Sequence, residues 1–412
     1  MGHHHHIEVT STQPYIFPQR NKIIAIAMMV IGVVAIAAQF MTGHPQKWGN
    51  LLMNNFIFMA MALGATFFLA LQYVAEVGWS VVIKRILEAM GQYLVFSGVI
   101  MVIIWFGGHH DLYHWTHEGI TDPDSPNYDR IIEGKSGYLN QPFFVIRMFI
   151  YFIIWSGFAI LCRKNSLAMD ANLATAVDYY NKNKRMATAF LVLFAITSST
   201  MAWDFIMSIE PHWFSTMFGW YTFAGMFITS LSALMFILAY LKSKGYLQEV
   251  TANHLQDVGK FMFAFSIFWT YLWFCQFMLI WYANLPEEVT YFMLRQDHYK
   301  AIWLGAFFVN FIIPFIVLMT RDAKRKLNLL MIMSVVLFVG HWMDYFIMVI
   351  PGAMVNQSHE GHFILGQVGW MEIGTTIGFL GLFMYVVQHH LSKAPLVIKN
   401  HPLMEESLHH VL

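Results

Sequence analysis

The chain of 412 residues is short of charge: Asp, Glu, Lys and Arg make up 12% of it, about half the share of an ordinary soluble domain. That deficit excludes a conventional soluble fold. Lys+Arg and Asp+Glu stand at 24 each, so there is no basic excess to build a nucleic-acid surface. Cysteine is scarcer still, with only Cys162 and Cys275, both in apolar stretches. Two cysteines cannot ligate an iron–sulfur cluster, and there is no CxxCH segment to attach a haem. What is abundant is apolar: 58% hydrophobic residues, including 37 Phe, 29 Met and 14 Trp.

These residues fall into ten runs, at 22–42, 53–75, 91–107, 143–162, 186–208, 218–241, 260–283, 299–320, 328–349 and 367–390. Each is about as long as a helix needs to cross a hydrocarbon core. They are continuously apolar, whereas barrel strands alternate over about ten residues. The pattern predicts an all-α integral membrane protein with ten transmembrane helices. No cleavable signal peptide is expected, because the polar first 21 residues lead into a run long enough to span. The organisation is a tail over 1–21, a membrane domain over 22–390 and a tail over 391–412. His3 to His6 read as part of a flexible tail.

Basic residues set the orientation. Ten spans place both termini on one side. That side would hold Arg20, Lys22, Lys84, Arg85, Arg163, Lys164, Lys182, Lys184, Arg185, Lys242, Lys244, Lys260, Arg321, Lys324, Arg325, Lys326, Lys393 and Lys399. The opposite side would hold Lys47, Arg130, Lys135, Arg147, Arg295 and Lys300. The asymmetry predicts cytoplasmic termini. The longest outer loop, 108–142, carries His109, His110, His114 and His117, and the 9–10 loop adds His359 and His362. The histidine spacing suits no closed zinc site, and a folded cap beneath a partner is the expectation.

Helix five closes with Asp204-Phe-Ile-Met-Ser-Ile-Glu-Pro211 and helix nine with Asp344-Tyr-Phe-Ile-Met-Val-Ile-Pro351. Each has an intramembrane Asp seven residues before a terminating proline. The helices lie four spans apart, so the repeat is parallel. It predicts two four-helix bundles, helices 2–5 and 6–9, with helices 1 and 10 peripheral. Ionisable groups inside spans are costly and are functional candidates. Asp204 shares a face with Thr197, Thr200 and Ser208; His341 and Asp344 share a face of helix nine; Arg147 lies a turn inside helix four and Glu372 inside helix ten. Glu210 and His212 stand at the outer mouth of helix five. Acid, imidazole and hydroxyl groups on common faces suit proton transfer. Arg147 is equally able to neutralise Asp204 or Asp344 as a static pair. Asn310 and Pro314, four apart in helix eight, predict a kink. With His341 the one histidine well inside a span, a bis-histidine haem is excluded.

The run SIEPHWFSTMFGWYTFAGMF (208–227), the segment GHWMDYF (340–346) and the ten-span layout resemble the second polytopic membrane subunit, the F subunit, of bacterial alternative complex III. That subunit is similar to membrane anchors of the polysulfide-reductase type. The resemblance implies a non-cofactor subunit, inactive alone, of a respiratory-chain quinol:cytochrome c oxidoreductase in the bacterial inner membrane. It implies a role as scaffold and candidate proton path or quinol cavity beside the homologous quinol-site subunit. Iron–sulfur and multihaem cytochrome c subunits, and in some assemblies a terminal oxidase, are the implied partners. Quinone, menaquinone or ubiquinone, is the only cofactor it leaves to this chain, with haem and clusters in the partners. Two alternatives stay open on the residues alone: a purely structural docking subunit, and an independent secondary transporter.

Overall fold

A computed structural model describes residues 14–358 and 364–411. His3 to His6, His359 and His362 lie outside the described residues. The described chain is all-helical, with ten helices long and apolar enough to cross a membrane. They are α1 (Gln19–Met41), α2 (Lys47–Val74), α3 (Trp79–Leu112), α4 (Gln141–Ala171), α5 (Leu173–Ile209), α6 (Phe218–Ser243), α7 (Ala252–Ala283), α8 (Lys300–Val317), α9 (Leu327–Asn356) and α10 (Trp370–Leu391). Large apolar side chains point outward along them, among them Val33, Ile153, Ile196 and Ile316. Outward apolar faces on this scale match a hydrocarbon solvent. The chain is a multi-pass membrane protein.

Helix starts follow local chemistry. Asn140 caps α4 by accepting from the Phe143 amide at 3.0 Å, ahead of Pro142 in the first turn. Thr251 and His254 form a reciprocal cap on α7. In α8 the ladder loosens into a π turn over Phe308–Ile312, just before Pro314. This is the expected kink, and it arises because proline removes an amide from the ladder.

Helices α2, α3, α4 and α5 pack on one another in cyclic order, as do α6, α7, α8 and α9; α2 and α5 meet α6 along the seam. The core is densest on α2, buried over nearly its whole length. Helix α1 packs chiefly on α10, and glycine permits the approach. A Cβ on Gly32 would stand 2.4 Å from the Cα of Gly378.

Four expectations are corrected. The third span does not begin at 91: it begins at Trp79 and takes Lys84, Arg85 and Glu88 into the bundle, buried. Arg163, also expected in an inner loop, is buried inside α4. Pro351 does not end its helix, which runs on to Asn356. The reason is a substitute donor. The carbonyl that Pro351 leaves without an amide is that of Ile347, and Arg295 Nε donates to it at 3.1 Å. Fourth, the C-terminal residues are not a loose tail. Leu396, Val397, Ile398 and Leu408 are buried against the helix ends.

Candidate functional site

The two aspartates that look alike in sequence sit in opposite electrostatic settings. Asp204, near the C-terminal end of α5, is neutralised. Arg147 of α4 grips it with two parallel bonds, Nε to Oδ2 at 2.8 Å and Nη2 to Oδ1 at 2.9 Å, and the Tyr151 hydroxyl donates to Oδ2 at 2.6 Å. Arg147 also donates to the Tyr138 carbonyl at 3.1 Å and lies over the Tyr138 and Phe143 rings. Every oxygen of the acid and most donors of the guanidinium are therefore occupied. Such a bidentate pair fixes geometry between two helices. The sequence left open whether Arg147 meets Asp204 or Asp344, and it meets Asp204.

The hydroxyl stripe on α5 serves the same helix. Ser208 donates to the Asp204 carbonyl at 2.5 Å and Thr200 to the Ile196 carbonyl at 3.0 Å, while Thr197 accepts from Trp155 Nε1 at 3.0 Å. Glu210 pairs with Arg295 at 2.6 Å. Arg295 belongs to an outer helix, Pro286–His298, and is fully buried, with its guanidinium stacked on Tyr291. His212 reaches Asp129 of the long outer loop at 2.6 Å. Burial pushes the Asp129 carboxyl up, but His212 and the amides of Ile132 and Ile131 outweigh it and hold the acid below its ordinary range. Asn356 of α9 donates to the carbonyls of Leu112 and Ile209, tying the outer loop over both groups of helices. The loop is a folded cap, with Trp115, Ile120 and Ile132 buried beneath it. Among the described residues no group of three or more His, Cys, Asp or Glu is placed to hold a metal ion.

Glu372 stays apart from this cluster. It is the third residue of α10, and its Oε2 accepts from the Gly369 amide at 2.9 Å. It caps its own helix.

Asp344, on α9, is the exception. It is 1% exposed and, among the described residues, has no Lys or Arg within ion-pair distance. Two neutral donors hold it: the Tyr221 hydroxyl of α6 on Oδ1, and Trp269 Nε1 of α7 on Oδ2 at 3.0 Å. His341 Nδ1 stands 3.7 Å from Oδ2, a little beyond hydrogen-bond reach. His341 is fully buried, and neither ring nitrogen has a protein partner; the Tyr345 hydroxyl is likewise unpartnered. One turn from Tyr221, Gly225 has no side chain. A Cβ there would see the Tyr345 hydroxyl at 3.5 Å, His341 Nδ1 at 3.6 Å and Asp344 Oδ2 at 3.7 Å. Three protonatable atoms therefore converge on one methyl-sized spot beside Gly225. Asn310, in the π turn of α8, is also buried without side-chain partners, against Gly340 one residue before His341.

Sequence reasoning missed Tyr221, Trp269 and Arg295. The first two count as apolar in any hydropathy reading, although each carries a donor. Their positions in α6 and α7 gave no signal. Arg295 was assigned to an outer loop, and its separation of 85 residues from Glu210 left no sequence signal for the pair.

Asp344 thus lacks a cationic partner among the described residues, and the His341 imidazole lies next to it. In a comparison with known proteins, no family model matches the chain and no curated protein matches it.

Proposed function

We propose that the chain is the scaffold and proton-conducting membrane subunit of a respiratory quinol:electron-acceptor oxidoreductase, placed in a bacterial inner membrane beside a homologous quinol-oxidising subunit. On this reading its two four-helix bundles run parallel, both termini are cytoplasmic, and the capped outer face receives iron–sulfur and multihaem cytochrome subunits. The observation that carries the proton role is Asp344, buried with no guanidinium or ammonium and next to His341, whose nitrogens are free. An ionisable residue inside a span is a functional candidate by default, and chains of carboxyl and imidazole groups are the parts of which intramembrane proton relays are made.

On this reading no quinone is assigned to this cluster. Both oxygens of Asp204 and both of Asp344 are taken by protein donors. The two clearest cavities, about 550 Å³ at Lys326–Ile332 and about 330 Å³ lined by Met29, Phe96, Tyr385 and His389, lie at the end that holds the termini. Quinol chemistry is accordingly proposed for the neighbouring subunit. A structural reading also has an observation in its favour: Arg147–Asp204 and Arg295–Glu210 are closed pairs that fix packing.

The test is quinol oxidation by the purified complex in vesicles, with medium acidification recorded in the same trace. Asp344→Asn is expected to assemble and to lose acidification. Full acidification with normal assembly would leave the chain a scaffold.

A further inference from the structure

At the opposite end from Asp344 lies a second buried cluster that the reading above does not use. Arg85 Nη1 donates to Glu88 at 3.0 Å and its Nη2 to Asp170 at 2.6 Å, and Arg163 stands 3.9 Å from Glu88. Two guanidiniums face two carboxylates, so these charges balance. Lys84 is the remainder. It is fully buried and, among the described residues, has no carboxylate within ion-pair distance. Its one polar contact is to His401 of the C-terminal segment, Nζ to Nε2 at 3.0 Å, and it lies 4.3 Å over the Tyr73 ring.

The tautomer follows from the other ring nitrogen. The Leu403 amide donates to His401 Nδ1 at 3.2 Å, so Nδ1 carries no proton. A neutral imidazole then carries its proton on Nε2. The atom facing that N–H must accept, and the atom is the Lys84 amine. Burial, the largest cause, pushes the His401 imidazole down, in keeping with a neutral ring. The closed arrangement thus holds Lys84 as an uncharged amine. One added proton forces Nδ1 to become a donor and ends the Leu403 bond. A second sets the Nε2 N–H against an ammonium.

The segment bearing His401 is built as a cover. The Lys399 amide donates to Asp170, Asn400 to the Met169 carbonyl and Ser407 to the Trp79 carbonyl, and Pro395 bridges to Pro14. Beneath it, Gln72 Oε1, Ser80 Oγ, Glu88 Oε1 and Ser166 Oγ are buried polar atoms without a protein partner. Such atoms line hydrated chambers more readily than dry cores. We propose that Lys84 is a proton-binding site at this end of the molecule and that residues 394–411 are its lid, closed when the amine is neutral and released when it takes a proton.

Other titratable groups face the pair. Tyr73 and Cys162 approach from α2 and α4, Tyr180 from α5, and Glu406 from the lid itself. Of the acids, Glu88 of α3 and Glu406 of the lid act on Lys84, and attraction between Glu406 and an ammonium opposes release. One further contact ties the lid down, His410 to Asp257 of α7 at 2.6 Å, whereas His409 meets Glu405 within the lid at 3.5 Å and is untouched by opening. His254 of α7 donates from Nε2 to the Ser407 carbonyl of the lid at 3.1 Å, while its Nδ1 accepts from the Thr251 amide at 3.1 Å. The sign for Lys84 is fixed by linkage. The closed state lacks a proton that the open state binds, so acidification favours opening, by about tenfold per pH unit for one proton.

The experiment is hydrogen exchange of residues 394–411 in the full chain in lipid nanodiscs at pH 8 and pH 6, after correction for intrinsic exchange rates. The lid should exchange at least tenfold faster at pH 6. Lys84→Met, an apolar side chain of similar length, should keep the protection and abolish its pH dependence. His401→Asn should open the lid at both pH values. Equal protection of the wild-type lid at the two pH values overturns the proposal even if no variant folds, and so does a pH dependence that survives in Lys84→Met. The readout is local, so it stands or falls separately from acidification by the complex.

Discussion

Replacing the two aspartates by asparagine should have unequal costs, although the changes are chemically identical and the motifs look alike. Asp204→Asn leaves the Arg147 guanidinium buried beside a neutral amide. Breaking a buried pair by removing one partner costs about 3–5 kcal/mol, because the remaining charge is uncompensated. Here Arg147 keeps only the Tyr138 carbonyl and two ring faces, so the upper half of that range is expected. Asp344→Asn leaves no orphaned cation. The amide oxygen still accepts from Trp269, and the Tyr221 hydroxyl can turn to accept from the amide N–H. The net loss is two charge-assisted bonds made neutral, about 1 kcal/mol each. Equilibrium unfolding of the chain in mixed micelles, followed by tryptophan fluorescence, measures both. Adding Arg147→Met to Asp204→Asn should recover at least 2 kcal/mol, a coupling that distant sites do not show. Equal destabilisation by the two single changes, or no recovery in the double variant, would refute the assignment of Asp204 as the paired acid and Asp344 as the unpaired one.

Gly225→Ala places a methyl at ordinary contact distance from Tyr345, His341 and Asp344, so folding should be unimpaired, with a gain of about 0.5–1 kcal/mol from replacing a mid-helix glycine. Proton release by the reconstituted complex should nonetheless fall, because the spot where the three groups converge is filled; unchanged release would argue against that spot. Gly378→Leu should separate α1 from α10, since even a Cβ at that position meets backbone at 2.4 Å, and a disulfide engineered across this pair of helices should then fail to form. The outer latch should be acid-sensitive. Asp129 is held below its ordinary 3.8, so its contribution is present above that pH and is lost as pH falls below it. Proteolysis of the 108–142 loop should accelerate below about pH 4 and lose that dependence in Asp129→Asn.

The hydropathy of ten runs was enough to read the ten helices, because membrane spans have no other way to satisfy their backbone. The kink in α8 was legible too, since proline four residues after asparagine dictates it locally. Side-chain environment was not. Lys84 and Arg163 look like inner-loop cations because a basic residue near a span end normally reaches water or headgroups. Their burial depends on a segment more than two hundred residues later folding over them, and no local pattern encodes that. The Asp-to-Pro repeat was visible, but the difference between its copies was not. That difference rests on Arg147, two helices' worth of sequence before one copy, and on aromatic donors that register as apolar in the other.

The bond from Arg295 to the Ile347 carbonyl has a mechanical meaning. Ile347 lies in the same helical turn as Asp344, and proline has already removed the amide that would otherwise hold that carbonyl. The turn is fastened to the outer helix Pro286–His298 in place of its own ladder. The same guanidinium holds Glu210 at the end of α5. Arg295 is therefore a strut with three feet, and any load applied to the outer helix is delivered, without slack, to the backbone that aims the unpaired acid.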